Sequence, residues 1–423
     1  MCKNLSFEEC ELTILRASVD KAEKIQGKKV LDSPETKRII KTVEVFIQKN
    51  QCIVYGGTAI NNILPKTAQF YDYDYELPDY DFFHPNALEL AKKLADVYAS
   101  KGFDNVEAKA GVHHGTYKVF VNNLGVADIT YLHEELYKKI KGHAIKKEGI
   151  LYAPANFLRQ SMFLELSRPM GDVSRWEKVL KRLNLLNQYY PLKHKECALQ
   201  RRFTSRRKEP ELFSLTKAEF IREGVVFIGG YANAIYTTFS SSPQLQNVPD
   251  FDVLSIEPKK TAEGLMKILK KKRYEVTMQE HEAIGELVSK HYSVSVDGEY
   301  IAFVFEPSAC HSYNVIKENG KSLKIGTIDT LLSYYLAFMY ADREYFDDNR
   351  LLCLSSVLFQ VQQENRLTQK EVLRRFVLDC YGKQTSLSEM KEANNKLHTT
   401  LDKESKEYEE RFLKYVPKDK KRS

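Results

Sequence analysis

No stretch of this chain is apolar for long enough to cross a bilayer. The longest apolar run, around Leu331 to Tyr340, is interrupted by Ser333 and falls short of the ~20 residues a spanning helix needs. Met1 to Leu15 has no apolar core of the kind a secretory signal carries, so none is expected. Cysteine is sparse and scattered, seven residues with no CxxC pair. That spacing argues against a zinc site and a disulfide framework, and the expectation is a soluble chain in a reducing, intracellular compartment. Tryptophan occurs once, as Trp176, and reads as a core residue rather than a base platform. The excess of positive charge is small, 64 Lys and Arg against 57 Asp and Glu. It permits a polyanionic partner without requiring one.

What is present is an ordinary globular composition, 43% hydrophobic and 29% charged over 423 residues. That length suits two or three domains. Residues 1 to 48 read as a polar helical segment, with Ile39, Ile40, Val43 and Ile47 at helical spacing. The apolar run Cys52-Ile53-Val54-Tyr55 ends at Gly56-Gly57, a strand leading into a tight turn and a short helix, Thr58 to Leu64. Asp79-Tyr80-Asp81-Phe82-Phe83 alternates as a strand should. A helix is expected from Asn86 to Ser100, then a hairpin turning on Asn122-Asn123.

The same order recurs. Val225 to Ile228 is followed by Gly229-Gly230, then by Asp250-Phe251-Asp252, a helix from Lys260 to Lys272, and a hairpin on Asp297-Gly298. Gly230 lies 173 positions after Gly57, and Asp250 lies 171 after Asp79. A period this long is a duplicated domain rather than a solenoid. The basic run Arg201-Arg202-Phe203-Thr204-Ser205-Arg206-Arg207-Lys208 falls near the boundary between the copies. The expected domains are 1–48, 49–195, 196–385 and 386–423. The last is a helix and basic tail, with an amphipathic stripe at Leu387, Met390, Leu397, Leu401, Tyr408 and Phe412.

Several carboxylates gathered in one place are what divalent cations need, because these ions take hard oxygen ligands. Asp79 and Asp81 are two apart on a strand and share a face. Asp128, on the second hairpin strand, joins them if that strand lies alongside. Gly56-Gly57 permits close backbone approach, the following helix offers amide groups to phosphates, and the Thr58 hydroxyl adds a hydrogen bond. Either feature alone is commonplace, a glycine pair as a turn and an acidic pair as surface charge. The ordered set is much more specific than either, and it suits nucleotidyl transfer, in which charge builds on the attacking and leaving oxygens. His113 and His114 read as edge residues, since no further His or Cys has ligand spacing.

The set resembles the DNA polymerase beta-like nucleotidyltransferase superfamily, with its hG[GS] turn, Dh[DE]h strand and later third carboxylate. The spacing of 22 positions from Gly57 to Asp79 is longer than that superfamily usually has, so 65–78 reads as an inserted loop. Tyr55-Gly56-Gly57-Thr58-Ala59-Ile60-Asn61, Leu77 to Phe83, Leu164-Glu165-Leu166-Ser167-Arg168-Pro169 and Asp172-Val173-Ser174-Arg175-Trp176 further resemble the poly(A) polymerase catalytic subunits of poxviruses and giant viruses. The resemblance implies an α+β chain with two tandem nucleotidyltransferase-like domains, the second degenerate. It implies addition of AMP from ATP to mRNA 3′ ends, with Asp79, Asp81 and Asp128 holding two Mg2+ or Mn2+ ions and Gly56, Gly57 and Thr58 holding phosphates. It also implies a homodimer or a methyltransferase partner subunit, no membrane, and residence in the host cytoplasm or virion.

Other roles stay open. Arg175, Lys178 and Lys181 either reach nucleotide phosphates or are surface charge. Arg201, Arg202, Phe203, Arg206, Arg207 and Lys208, with Lys270 to Arg273, either hold single-stranded RNA or are a solvated linker and a helix end. In the second copy Phe303 stands at the position of Asp128, Glu306 is poorly placed to replace it, and Tyr231 stands at the position of Thr58. That copy is expected to be silent, a scaffold or RNA clamp. The alternatives are transfer of another nucleotide, transfer to a small-molecule acceptor, and a non-catalytic RNA-binding or assembly protein.

Overall fold

A computed structural model describes residues 2, 5–193, 209–239, 251–365 and 368–418. The helices are α1 (Phe7–Leu31), α2 (Pro34–Asn50), α3 (Gly56–Ile63), α4 (Ala87–Ser100), α5 (Glu134–Gly142), α6 (Ala155–Leu166), α7 (Trp176–Tyr189), α8 (Glu209–Glu223), α9 (Gly230–Thr237), α10 (Pro258–Lys271), α11 (Ile328–Phe338), α12 (Asp348–Glu364), α13 (Leu387–Thr400) and α14 (Lys406–Phe412). The strands are β1 (Ile53–Val54), β2 (Asp81–His84), β3 (Val106–Ala110), β4 (Thr116–Val121), β5 (Leu124–Tyr131), β6 (Ile145–Lys147), β7 (Ile150–Tyr152), β8 (Val226–Phe227), β9 (Phe251–Leu254), β10 (Val276–His281), β11 (His291–Val296), β12 (Glu299–Phe305), β13 (His311–Glu318), β14 (Lys321–Gly326), β15 (Cys380–Tyr381) and β16 (Lys414–Tyr415).

The chain divides into two compact units. The first comprises Met1–Leu132, His143–Ala153 and Met390–Ser423; the second comprises His133–Gly142 and Pro154–Glu389. The units therefore do not follow chain order: α5, α6 and α7 group with the second, and the tail with the first.

Each unit is built on a mixed sheet, ordered β16-β3-β4-β5-β2-β1-β7-β6 in the first and β10-β11-β12-β9-β8-β14-β13-β15 in the second. Aligned from β3 and from β10, the two orders coincide over seven strands. In each, a hairpin strand runs parallel to the acidic strand, which runs antiparallel to the strand before the glycines. This is the duplicated α+β fold the sequence pattern leads one to expect. Local chemistry sets both hairpins. Asn122 and Asn123 have φ of 50° and 66°, and Asp297 and Gly298 have 51° and 82°. A two-residue turn with positive φ at both positions matches the twist of its flanking strands. Helix α2 begins at Pro34, which suits a first helical position, and buries Ile39, Val43, Phe46 and Ile47. In the second unit Leu265 and Leu269 of α10 are fully buried.

Two expectations are corrected. The cysteine spacing does not exclude cross-links, because Cys310 and Cys380, 70 residues apart, form a disulfide, as do Cys2 and Cys10. Pairing of β13 with β15 sets Ser312 opposite Cys380 and so brings two distant cysteines within bonding reach. Cys52 is a free, buried thiol, and burial pushes its pKa up to about 12. The tail stripe is not a buried one: α13 and α14 bury no side chain completely, and Leu387 is 56% exposed. Beyond them the tail adds an edge strand, β16, antiparallel to β3.

Candidate active site

The acidic strand is fixed by its backbone before its side chains act. Three consecutive carbonyls are each tied to a different element. Asp79 O accepts from the Thr58 hydroxyl of α3 at 2.6 Å, Tyr80 O from the Asp128 amide of β5 at 3.0 Å, and Asp81 O from the Tyr55 amide at 2.9 Å. The glycine turn, the acidic strand and the third-carboxylate strand are thus locked to one another. Thr58 is buried and its proton is committed to Asp79. Regular strand geometry starts only at Asp81, so Asp79 sits on the loop leading into it.

Gly56 must be glycine for two reasons. Its φ is +71°, and a Cβ there would lie 2.8 Å from Asp81 Oδ2. The α3 helix begins at this residue, two positions before the start expected from the sequence, so the glycines form its first turn. Parallel pairing of β2 and β5 sets Asp81 directly opposite Asp128. Tyr80, between the two acidic residues, points the other way. It is 5% exposed and donates to Glu44 of α2 at 3.0 Å.

The half-buried Tyr55 phenol reports how near the carboxylates are. Its hydroxyl meets Thr130 at 2.9 Å and its ring stacks on Phe83 at 3.8 Å. Burial raises its pKa most, and the charges of Asp81, Asp128 and Asp79 raise it further. Asp128 forms an ion pair with Lys118, its cross-strand neighbour on β4. Neither Tyr55 nor Lys118 was singled out from the sequence. Lys118 faces Asp128 because a β-bulge between Val119 and Phe120 shifts the hairpin register by one residue.

Among the described residues no three acidic or histidine side chains are already closed around one point as a metal shell. The donor chemistry nevertheless suits a hard divalent cation: three carboxylates on interlocked elements, beside a turn without a Cβ. Lys118 meanwhile supplies positive charge at Asp128.

The remaining candidates fall elsewhere. Arg175, Lys178 and Lys181 lie on the second unit, where Arg175 pairs with Glu165 at 3.2 Å and Lys181 with Glu177 at 2.6 Å. Trp176 is half-buried, donates to Glu165 O at 3.0 Å and packs on Phe376. Lys272 reaches Glu211 at 3.9 Å, with both side chains more than half exposed. His113 and His114 are exposed in the turn before β4. Arg201, Arg202, Phe203, Arg206, Arg207, Lys208 and Asp250 lie outside the described residues.

The second copy keeps the frame and fills the site. Ile228 N donates to Asp252 O at 2.8 Å, as Tyr55 does to Asp81. The β12–β9 ladder sets Phe303 opposite Asp252. Ser293 takes the place of Lys118, with a bulge at the same point of the hairpin. Phe303 is fully buried, its ring 4.7 Å from that of Tyr345. Tyr231 is buried among Phe213, Phe227 and Phe251, and its hydroxyl donates to Glu318 at 3.2 Å. Glu306 is exposed beyond the strand end.

Of the two sheets, only the first sets a carboxylate opposite the acidic strand, Asp128 against Asp81, where the second has Phe303 against Asp252. Residues 41–172 match the family model described as the poly(A) polymerase catalytic subunit. A putative poly(A) polymerase catalytic subunit of Acanthamoeba polyphaga mimivirus is 23% identical over 91% of this chain and 73% of its own length. One from African swine fever virus (isolate Tick/Malawi/Lil 20-1/1983) is 32% identical over 41% of this chain, which spans only 38% of that relative. The crystal structure of the Megavirus polyadenylate synthase superposes with a TM-score of 0.80 at 22% identity, covering 94% of this chain and 85% of that one. In sequence over residues 41–172, and in fold over most of its length, the chain is thus similar to viral poly(A) polymerase catalytic subunits.

Proposed function

We propose that this protein adds AMP from ATP to the 3′ end of RNA without a template. The observation that carries this reading is the facing of Asp81 and Asp128 across a parallel ladder, beside the glycine turn and Asp79. The names of the relatives supply the base and the acceptor, since no residue of the site described above reads adenine.

Asp79 and Asp81 would hold two Mg2+ or Mn2+ ions, and Asp128 would complete the shell of one of them. When bound, such ions neutralise charge on the triphosphate and lower the pKa of the attacking hydroxyl. The chain's own contribution is positioning. The lock on three successive carbonyls holds the carboxylates in place, Gly56 and Gly57 let phosphate oxygens approach the backbone, and the first turn of α3 points amide groups toward anions. Thr58 acts here mainly by fixing Asp79. Lys118, paired with Asp128, would give up that partner to a bound cation. The 201–208 run is an RNA contact in this reading. A dimeric partner or an accessory subunit, and a place in the host cytoplasm, follow from the resemblance alone.

The test is a labelled RNA primer incubated with each nucleoside triphosphate singly and a divalent cation. A ladder with ATP, lost in Asp128→Ala, is expected. No ladder with ATP, or a fully active Asp128→Ala protein, would sink the proposal.

A further inference from the structure

Helices α7 and α12 of the second unit border an open groove of about 550 Å³. Its floor is apolar, from Leu183 and Phe359. Its walls are amides: Asn184, Asn187 and Gln188 on α7, Gln362 and Gln363 on α12. The carboxamides of Asn184, Gln188 and Gln363 are exposed and make no hydrogen bond to another described residue. Asn187 and Gln362 are held by their oxygens, which accept from Arg159 at 2.7 Å and from Arg375 at 2.8 Å. Their NH2 groups remain as donors. Among the described residues no Asp or Glu lines the groove, and its one cation, Arg375, is neutralised by Asp329 at 2.7 Å.

An uncharged trough of this kind suits neither a metal ion nor a free phosphate. It suits planar heterocycles, whose faces take apolar contact and whose edges take paired donors and acceptors. A carboxamide offers one donor beside one acceptor, which is complementary to the N6 and N7 edge of adenine. Asn184 and Gln188 are one helical turn apart, about 6 Å along the axis. Stacked nucleotides rise about 3.4 Å each along a strand, so the two amides address every second base.

We infer that the α7–α12 groove holds the bases of the growing adenylate tail. The inference rests on the proposed activity for its ligand, but its test does not require catalysis. Binding of fluorescently labelled (A)15 RNA to the full chain, without ATP, is measured by anisotropy for wild type and for Asn184→Ala/Gln188→Ala/Gln363→Ala. These side chains are exposed, so the variant keeps its fold. A loss of about tenfold or more is expected, with an unchanged salt dependence, because bases rather than phosphates are released. The Michaelis constant for RNA rises in parallel while that for ATP holds. Affinity within twofold of wild type overturns the inference. So does a loss accompanied by a shallower salt slope, or a wild-type protein that does not bind (A)15. A protein that binds (A)15 through these amides but extends RNA only with another nucleotide sinks the proposed activity and leaves the groove standing.

Discussion

The two copies share strand order, the hairpin bulge and the backbone hydrogen bond from the pre-helix strand to the acidic strand. They differ in what stands at three positions. Thr58, Asp128 and Lys118 in the first copy become Tyr231, Phe303 and Ser293 in the second. The first copy keeps small and charged groups there; the second has two buried aromatic rings and a buried serine. Frame and chemistry are therefore separable: the fold survives complete loss of the charged pair, because strand pairing and apolar packing hold the sheet together.

The largest effect expected on this comparison is in the first copy. Asp128→Ala should lower the rate of AMP addition by roughly a thousandfold or more, several kcal/mol of lost charge stabilisation. Circular dichroism should show the fold intact. Asp252→Asn in the second copy should change the rate less than about twofold. Comparable losses at both positions would show that the second copy takes part in catalysis.

Restoring the missing acid should damage the second copy rather than revive it. Phe303→Asp places a carboxylate in a site of 0% exposure, opposite Asp252. A loss of about 3 kcal/mol or more is expected, read as a lowered midpoint of thermal unfolding. A Phe303→Asp protein of unchanged stability would mean that the region is wetter than its rings imply.

The histidines of the second sheet give a pH signature. Burial holds His291 down to about 4 and His311 to about 3. Both are therefore neutral in the folded protein when an unfolded chain, with a histidine pKa of about 6.5, already binds protons. The stability they contribute is complete above about pH 6.5 and is lost as the pH falls, until the folded-state values are passed. At pH 5 each should cost about 2 kcal/mol relative to pH 7.5. His311→Gln should flatten the fall in unfolding midpoint between those pH values, and an unchanged slope would remove His311 from the account.

The smallest effect concerns the pair at Asp128. Its side chains are 43% and 26% exposed, so Lys118→Met should cost less than about 1 kcal/mol of stability. It should also lower, by a few-fold, the Mg2+ concentration needed for half-maximal AMP addition, because the cation no longer competes with an ammonium group. An unchanged or higher requirement would mean that Lys118 does not compete with the cation.

Much of the candidate site was legible because its signals are local. Gly56-Gly57 after an apolar run, alternation around Asp79 and Asp81, and the Asn122-Asn123 turn each constrain their own backbone. Counting five residues from the hairpin turn equates Asp128 with Phe303, and the count works because both hairpins carry the bulge at one place. The bulge itself was not legible, since it exists only when two strands pair. Lys118 was missed for that reason, and Tyr55 because an apolar run does not announce a phenol among carboxylates. The tail misled in a different way: its helical periodicity is real, but a stripe shows which residues could pack, not whether a surface covers them.

By itself, then, the sequence determined the repeated order of strand, glycine turn, acidic strand and hairpin, together with the loss of the third acid in the second copy. These rest on backbone preferences and side-chain periodicity within a few residues. Tertiary structure alone decided that Asp81 faces Asp128, that three neighbouring carbonyls are locked by three separate elements, that Cys310 meets Cys380, and that β16 closes on β3. Each of those is a pairing of segments far apart in the chain. Its register is chosen by all the strands together, which no short stretch of sequence encodes.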